Sequence, residues 1–240
     1  MKQILLVFTS LILFLPQNLK AQNEGAAIAA VAGGLLAIGS GIAAVQQMKE
    51  QAELTATEWF ITNYPQHDKF SLTTLDFDGK KLADMSSTSV ITFKIQDFEI
   101  NKDEPVLGKK FVLFGFTSYG WINEYGINFD KVNWFLIDSD EWLNMMLAYS
   151  KVASGEEKED MILQALINGK VVNRGIRAKK GEDIDFYKID GDMYLVTDYS
   201  PDMKFIYNER SLGIYLKETM NLIQIGRGDL INIHEYFFDE

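Results

Sequence analysis

Cysteine is absent from this 240-residue chain, and only two histidines are present. Without cysteine the chain has no disulfides, no thiolate metal ligands, no cysteine nucleophile and no lipid attached through cysteine. The glycine-rich fingerprints of nucleotide sites, GxGxxG and GxxxxGK(S/T), are missing as well. The sequence also has no internal repeat and no long linker, so we expect a single folded domain after the N-terminal segments.

The two histidines, His67 and His234, do not stand in a catalytic or metal-binding pattern. A serine hydrolase needs a histidine that is oriented by an acid beside a positioned nucleophile, and the sequence contains no GxSxG turn. A zinc site needs three or four convergent ligands, which this chain does not offer as a cluster of cysteine and histidine. We therefore predict no catalytic residue, no metal site and no cofactor.

Basic residues are outnumbered: 23 Lys and Arg stand against 34 Asp and Glu, a formal net charge of −11. Such a surface repels nucleic acid and anionic lipid headgroups, so a nucleic-acid partner is not expected. Hydrophobic residues make up 47% of the chain and aromatic residues 12%. This composition supports a folded core and argues against wholesale disorder.

Residues 1–21 have the order of a secretory signal peptide. Lys2 is followed by an apolar run from Ile4 to Leu15, then by Pro16 and by Ala21 at a plausible cleavage point. The apolar run is about 18 Å long as a helix, too short to span a bilayer. We predict export to the periplasm, the cell envelope or the exterior. If the segment is not cleaved, the domain lies in the cytoplasm instead.

A second apolar segment, residues 26–45, carries no charge and is rich in alanine and glycine. Five small residues recur every four positions: Gly25, Ala29, Gly33, Ala37 and Gly41. In a helix they share one face and allow another backbone to approach closely. This segment resembles the glycine-zipper segments of bacterial envelope proteins and membrane-inserting peptides, and the resemblance implies close helix packing. We predict self-association through helix 25–45.

Two alternatives remain open for the same segment. Its length, about 30 Å as a helix, could cross a membrane, but its few large aliphatic residues give an insertion free energy of only about −2 to −4 kcal/mol. The segment could also be an alanine-rich helix in the core of the protein itself. In each case the apolar spacing continues past Val45 and predicts one long helix over 22–64, ended by Pro65.

The remaining residues, 65–240, predict an α+β domain. Alternating and continuous apolar runs predict mainly antiparallel strands on both sides of a central helix pair. Capping boxes at Asp138–Glu141 and Ser154–Glu157 mark the starts of the two helices. The residues around Gly191 predict a β-hairpin, and the C-terminal runs "MNLIQIGRGDLINI" and "HEYFF" predict further strands.

Three groups of residues are candidates for binding. The loop "TSYGWINEYGINFD" carries aromatic residues that suit a ligand or partner surface, or else fill the core: Tyr119, Trp121, Tyr125 and Phe129. The acids of "GEDIDFYKIDGD" and "LDFDGKK" are interpreted as turns and solvated charge rather than calcium ligands, because their spacing does not match an EF-hand. The tripeptide Arg227–Asp229, "RGD", is interpreted as a turn between strands.

Three functions fit these features. The leading hypothesis is a non-enzymatic envelope protein, self-associating or membrane-anchored through helix 25–45, with an acidic module that binds a protein or glycan partner. The second is a membrane-perturbing or pore-forming protein that uses the same segment. The third is a hydrolase that uses carboxylates from the strand loops, in the manner of glycosidic acid–base pairs.

Overall fold

The structure, a computed structural model, describes residues 42–76, 89–102, 104–123, 126–191 and 193–239. The predicted signal peptide, residues 26–41 of the apolar segment and the five small residues of the predicted packing face lie outside these ranges. Tyr125, Asp78 and Asp192 lie outside them too.

Within these residues the helices are α1 (Ile42–Asn63), α2 (Ser139–Ser154), α3 (Glu159–Asn168) and α4 (Arg227–Phe238), with a 3-10 turn at Phe129–Lys131. The longer strands are β1 (Phe70–Asp76), β2 (Val90–Asn101), β3 (Glu104–Thr117), β6 (Val132–Ile137), β11 (Met203–Tyr207), β12 (Ser211–Leu216) and β13 (Asn221–Gly226). The shorter strands are β4 (Ile122–Asn123), β5 (Gly126–Ile127), β7 (Gly169–Val172), β8 (Gly175–Ala178), β9 (Ile184–Asp185) and β10 (Leu195–Asp198).

The strands of the described residues form antiparallel sheets. A first sheet has the order β1-β2-β3-β6, and a second has the order β10-β11-β12-β13. Strands β7, β8 and β9 form a small third sheet, and β4 pairs with β5. The predicted α+β class is confirmed.

The first sheet is covered on both faces. Helix α1 packs on one face through Ala52, Ala56 and Phe60, each almost fully buried. On β3, Phe111 and Leu113 point toward this helix, while the alternate residues join a larger core with the second sheet and α2, α3 and α4. Burial on both faces explains why residues 111–117 of β3 form a nearly continuous apolar run, whereas residues 104–109 of the same strand are exposed.

Helix α2 begins where its capping pattern predicts. The Asp138 carboxylate accepts hydrogen bonds from the backbone N–H groups of Asp140 and Glu141. The prediction for the next helix was wrong by one turn. Ser154 still belongs to α2, since its hydroxyl donates to the Ser150 carbonyl, and α3 starts only at Glu159.

Two predictions for the C-terminal third were also wrong. Residues 227–238 form helix α4 rather than strands, and α4 buries Leu230, Ile233, His234 and Phe237. This spacing is helical, and it outweighs the strand propensity of isoleucine, tyrosine and phenylalanine. The hairpin around Gly191 does not form either, because β9 pairs with β8 and β10 pairs with β11.

Candidate interaction surface

The second sheet turns one face to the core and the other outward. Strands β11, β12 and β13 alternate, so that Phe205, Ile214 and Ile223 point into the core. On the outer face the register aligns Val196, Ile206 and Gly213 across three strands. The outer face is therefore the part of this sheet that can meet another molecule.

An apolar cluster occupies the centre of this outer face; we name Val196, Ile206, Gly213 and Leu222 the sheet patch. Val196 is 57% exposed and Leu222 is 41% exposed. A Cβ atom at Gly213 would lie 3.1 Å from the Ile206 Cβ and 3.4 Å from the Leu222 Cδ1. The missing side chain thus leaves room above β12 for Ile206 and Leu222, which approach it from the two neighbouring strands.

The rim of the sheet patch is polar. The Asp198 carboxylate lies 3.0 Å from Lys217 Nζ and 3.5 Å from Lys204 Nζ. The hydrogen bond from Lys217, with the charges of Lys204 and Lys217, lowers the pKa of Asp198. An apolar centre inside a polar rim is the arrangement of protein-binding surfaces.

A pocket of about 410 Å³ opens beside the sheet patch. Its walls come from residues 189–191 and 193–194, from the β11–β12 turn and from β13, and they include Asp190, Met193, Tyr194, Asn208, Glu209, Arg210 and Gln224. Met193 and Tyr194 are exposed at its edge. The pocket therefore adds an aromatic ring, amides and both charge signs to the apolar patch.

The four aromatic residues of the predicted loop do not share one environment. Tyr119 is 69% exposed, whereas Trp121 is buried in the core beneath α1 and Phe129 packs half-buried against that core. Tyr125 is not among the described residues. The loop thus has one aromatic side chain seen to face solvent and two that fill the core or its margin.

Each histidine is held by specific partners. His67 Nδ1 lies 2.6 Å from the Asp97 Oδ2, beside the ring of Phe111. His234 is buried between Trp142 and the Leu166 carbonyl. Neither arrangement brings a serine, threonine or cysteine nucleophile to the ring among the contacts of the described residues.

Two of the described acids of "GEDIDFYKIDGD" contact groups on the neighbouring strand β8. Arg177 Nη1 lies 2.7 Å from the Asp185 carboxylate, and the Asp183 carboxylate accepts the Ala178 N–H. Over the described ranges, no three His, Asp or Glu side chains converge as a metal site.

The tripeptide at 227–229 forms the start of α4, so its interpretation as a turn between strands was wrong.

Arg227 is only 6% exposed. Its guanidinium lies 5.2 Å from the centre of the Phe186 ring and under 6 Å from the ring centres of Tyr149 and Tyr207. It donates to the Asn173, Asn208 and Glu209 carbonyls. Burial raises the pKa values of Tyr149 and Tyr207, and the Arg227 charge opposes that shift. Arg227 therefore ties α4 to two loops.

The sequence did not point to the sheet patch or to Arg227. The usable signal for the patch was Gly213 in the strand run "LGIYL", since an interior strand glycine marks a close approach by neighbours. Arg227 gave no comparable signal because its partners lie 18 to 78 positions away along the chain.

No protein-family model, no curated protein and no solved structure matches the chain. No helix of the described ranges is both long and apolar enough to cross a bilayer. What the surface does must therefore follow from its own residues.

Proposed function

We propose that this protein is an exported, non-enzymatic component of the cell envelope that assembles through its N-terminal helix and binds a protein partner through the sheet patch. The observation that carries the binding role is the apolar surface of Val196, Ile206 and Leu222 inside a charged rim. Apolar side chains of a partner would lose water against this surface, while the rim would set orientation.

A glycan chain is the second candidate for the partner. The pocket beside the patch is lined by the exposed Tyr194, by Gln224 and by the charged Asp190 and Arg210. An aromatic ring with nearby polar side chains suits sugar stacking and hydroxyl recognition. Protein is the first choice because the patch takes apolar side chains from three strands, β10, β11 and β13.

The binding role is tested by placing a photo-crosslinking amino acid at position 196 or 222 of the full chain in expressing cells. Position 167 is the control, since Ile167 is an exposed apolar residue on α3, which lies on the other side of the second sheet. We expect an adduct of one defined mass from 196 and 222 but not from 167. Sensitivity of the adduct to protease or to glycosidase identifies the partner class. Equal labelling at all three positions would contradict the proposal.

The assembly role is tested by changing Gly33 and Gly41 to Leu, with Ile38→Leu as the control off the small-residue face. Bulky residues on that face would hold the helices apart. We expect loss of oligomers in sedimentation with the two glycine changes, and unchanged oligomers with Ile38→Leu. Unchanged sedimentation would rule out zipper assembly, and dye release from liposomes by the full chain would favour the membrane-perturbing alternative.

A further inference from the structure

Strand β10 forms one edge of the second sheet. It pairs with β11 on one side and with none of the described strands on the other. Leu195, Val196 and Asp198 are exposed along this edge. An open edge presents a row of backbone N–H and C=O groups, and another extended chain can pair with them.

The hydrogen-bond pattern shows which backbone groups of β10 face outward. The Tyr199 N–H donates to the Met203 carbonyl, in register with the pairs of β10 and β11. Hydrogen-bonded pairs alternate along an antiparallel ladder, so Thr197 bonds to β11, whereas the N–H and C=O groups of Val196 and Asp198 point away from it. Among the described residues, only the Thr197 hydroxyl, 3.4 Å from the Asp198 carbonyl oxygen, approaches one of these four groups.

Strand β10 lacks the features that commonly keep a strand edge from pairing. Residues Leu195–Asp198 include no proline and no lysine, and their register with β11 has no bulge. The carboxylate of Asp198 is balanced by Lys204 and Lys217, whose Nζ atoms lie 3.5 and 3.0 Å from it. An added strand would therefore meet neither a missing N–H group nor an unpaired charge on β10.

A groove of about 500 Å³ lies between this edge and helix α2; we name it the edge groove. Its lining includes Asn144, Leu147, Ala148 and Val152 of α2 and Thr197 of β10. Helix α2 packs on the inner face of the second sheet, against β10 and β11. The edge groove therefore lies on the inner side of the strand edge, whereas the sheet patch lies on the outer side.

The surfaces on both sides of the edge are mainly apolar. Three half-buried apolar residues of α2 line the edge groove: Leu147, Ala148 and Val152. At the end of the groove Lys151 is paired with Glu159 over 2.9 Å, and Glu157 adds one acid there. On the outer side Val196 adjoins Ile206. A strand that is covered on both faces is a continuous apolar run, so the segment that fits this edge is extended, apolar and uncharged.

We propose that the protein partner adds an extended, apolar segment to β10 as a fifth strand of the second sheet. This inference rests on the proposed function and specifies how the partner of the sheet patch binds. Backbone hydrogen bonds to Val196 and Asp198 hold the segment, and its alternate side chains lie against the sheet patch and in the edge groove. The partner is a different protein, because two chains of net charge −11 repel each other.

The first test places a photo-crosslinking amino acid at position 144 or 222 of the full chain in expressing cells. Asn144 is exposed in the edge groove, whereas Leu222 belongs to the sheet patch on the opposite face. A strand added to β10 has side chains on both faces, so we expect adducts of the same mass from both positions and none from the control position 167. An adduct from 222 without its equal from 144 would overturn strand addition and leave the binding role of the patch standing. Absence of an adduct from 222 would overturn the proposed function, and this inference with it.

Backbone variants separate strand pairing from side-chain contact. Val196→Pro removes an outward N–H and should lower both adducts by about tenfold or more, because proline cannot donate to an added strand. Val196→Ala keeps the N–H and is the matched control, with adducts expected within about threefold of those of the unchanged chain. Equal losses in the two variants would overturn the strand pairing. Urea unfolding checks the fold: Val196→Pro should match Val196→Ala, whereas Thr197→Pro, which loses an N–H bonded to β11, should unfold at lower urea.

A further variant tests the edge groove without changing β10. Ala148→Arg places a long side chain in the groove from α2 and should lower the adduct from 222 by about tenfold or more, since the added strand loses its space. Ile167→Arg is the matched control on the exposed side of α3 and should leave the adduct unchanged. An undiminished adduct in Ala148→Arg would overturn the proposal. An adduct of twice the mass of the chain would show a second copy, and a glycosidase-sensitive adduct would show a glycan; either would overturn the choice of partner.

Discussion

The indole Nε1 of Trp142 donates a hydrogen bond to Nδ1 of the buried His234 over 3.3 Å. An indole N–H can only donate, so Nδ1 must accept and the ring proton must lie on Nε2, which is 2.9 Å from the Leu166 carbonyl. Both ring nitrogens are thus used by the neutral form. A proton added at Nδ1 would face the indole N–H.

The first prediction concerns acid pH. Burial lowers the pKa of His234, so the unfolded chain, with a histidine pKa of about 6.5, binds the proton more readily than the folded chain does. The free energy of unfolding should therefore fall as pH drops below about 6.5, with a slope approaching about 1.4 kcal/mol per pH unit. Urea unfolding of the full chain and of His234→Gln at pH 7.5, 6.5 and 5.5 measures it. His234→Gln should lack this pH dependence, and a second variant, His67→Gln, should keep it. Equal slopes in the unchanged chain and in both variants would contradict the attribution of the slope to His234.

The second prediction concerns Arg227. Removing it leaves three carbonyls without a donor and empties the space among three aromatic rings, so Arg227→Ala should lower the free energy of unfolding by about 3 kcal/mol or more. Arg227→Lys keeps the charge but loses the planar donor group and should cost about 1–2 kcal/mol. The exposed Arg210 is the control: Arg210→Ala should stay within about 0.5 kcal/mol. An Arg227→Ala loss as small as that of Arg210→Ala would show that the ring cluster does not depend on the cation.

The third prediction concerns the packing of α1. Ala52 and Ala56 let the helix lie close to the first sheet, and Ala56 has no exposed surface. Ala56→Leu should destabilise the fold by about 1–3 kcal/mol, because the added atoms have no room without moving the helix. Leu54→Ala, on the exposed side of the same helix, should change little. Thermal unfolding compares them, and a stabilised Ala56→Leu would mean that a void lies under α1.

The fourth prediction concerns the end of α2. Gly155 has φ 70° and Gly191 has φ 75°, so alanine at either position carries the left-handed penalty of about 1–2 kcal/mol. Only at Gly155 would the new Cβ overlap the Tyr187 hydroxyl, whereas the space at Gly191 is open. Gly155→Ala should therefore cost more than Gly191→Ala in urea unfolding. Adding Tyr187→Ala should remove the difference, and a difference that survives would have another cause.

Local patterns predicted the parts of the fold that local chemistry decides. The alternation of β2 and the unbroken apolar run of β3 predicted strands, and Asp138 predicted the start of α2. Helix α4 was missed because its sequence favours strands and its buried spacing has meaning only once the core exists. Tertiary packing decided that segment.

The candidate site was harder to predict for a related reason. The alternation of apolar and polar residues along β11 and β13 shows that each strand has two faces. It does not show which of these faces another element of the fold covers. Val196 and Leu222 became candidates because α2, α3 and α4 lie on the opposite side of the sheet. The aromatic loop was attractive in sequence because tyrosine and tryptophan suit both surfaces and cores, and Trp121 entered the core.

Because β2 and β3 contribute side chains to both cores, neither core can lose its packing without disturbing strands that the other needs. The two halves of the described fold are therefore expected to unfold in one cooperative step. The chain also carries natural optical probes for this. The core beneath α1 contains three tryptophans, Trp59, Trp121 and Trp134, and the larger core contains Trp142. Replacing Trp142 with Phe would make the remaining tryptophan fluorescence a signal of the core between α1 and the first sheet alone. Its unfolding curve can then be compared with the circular dichroism of the whole protein.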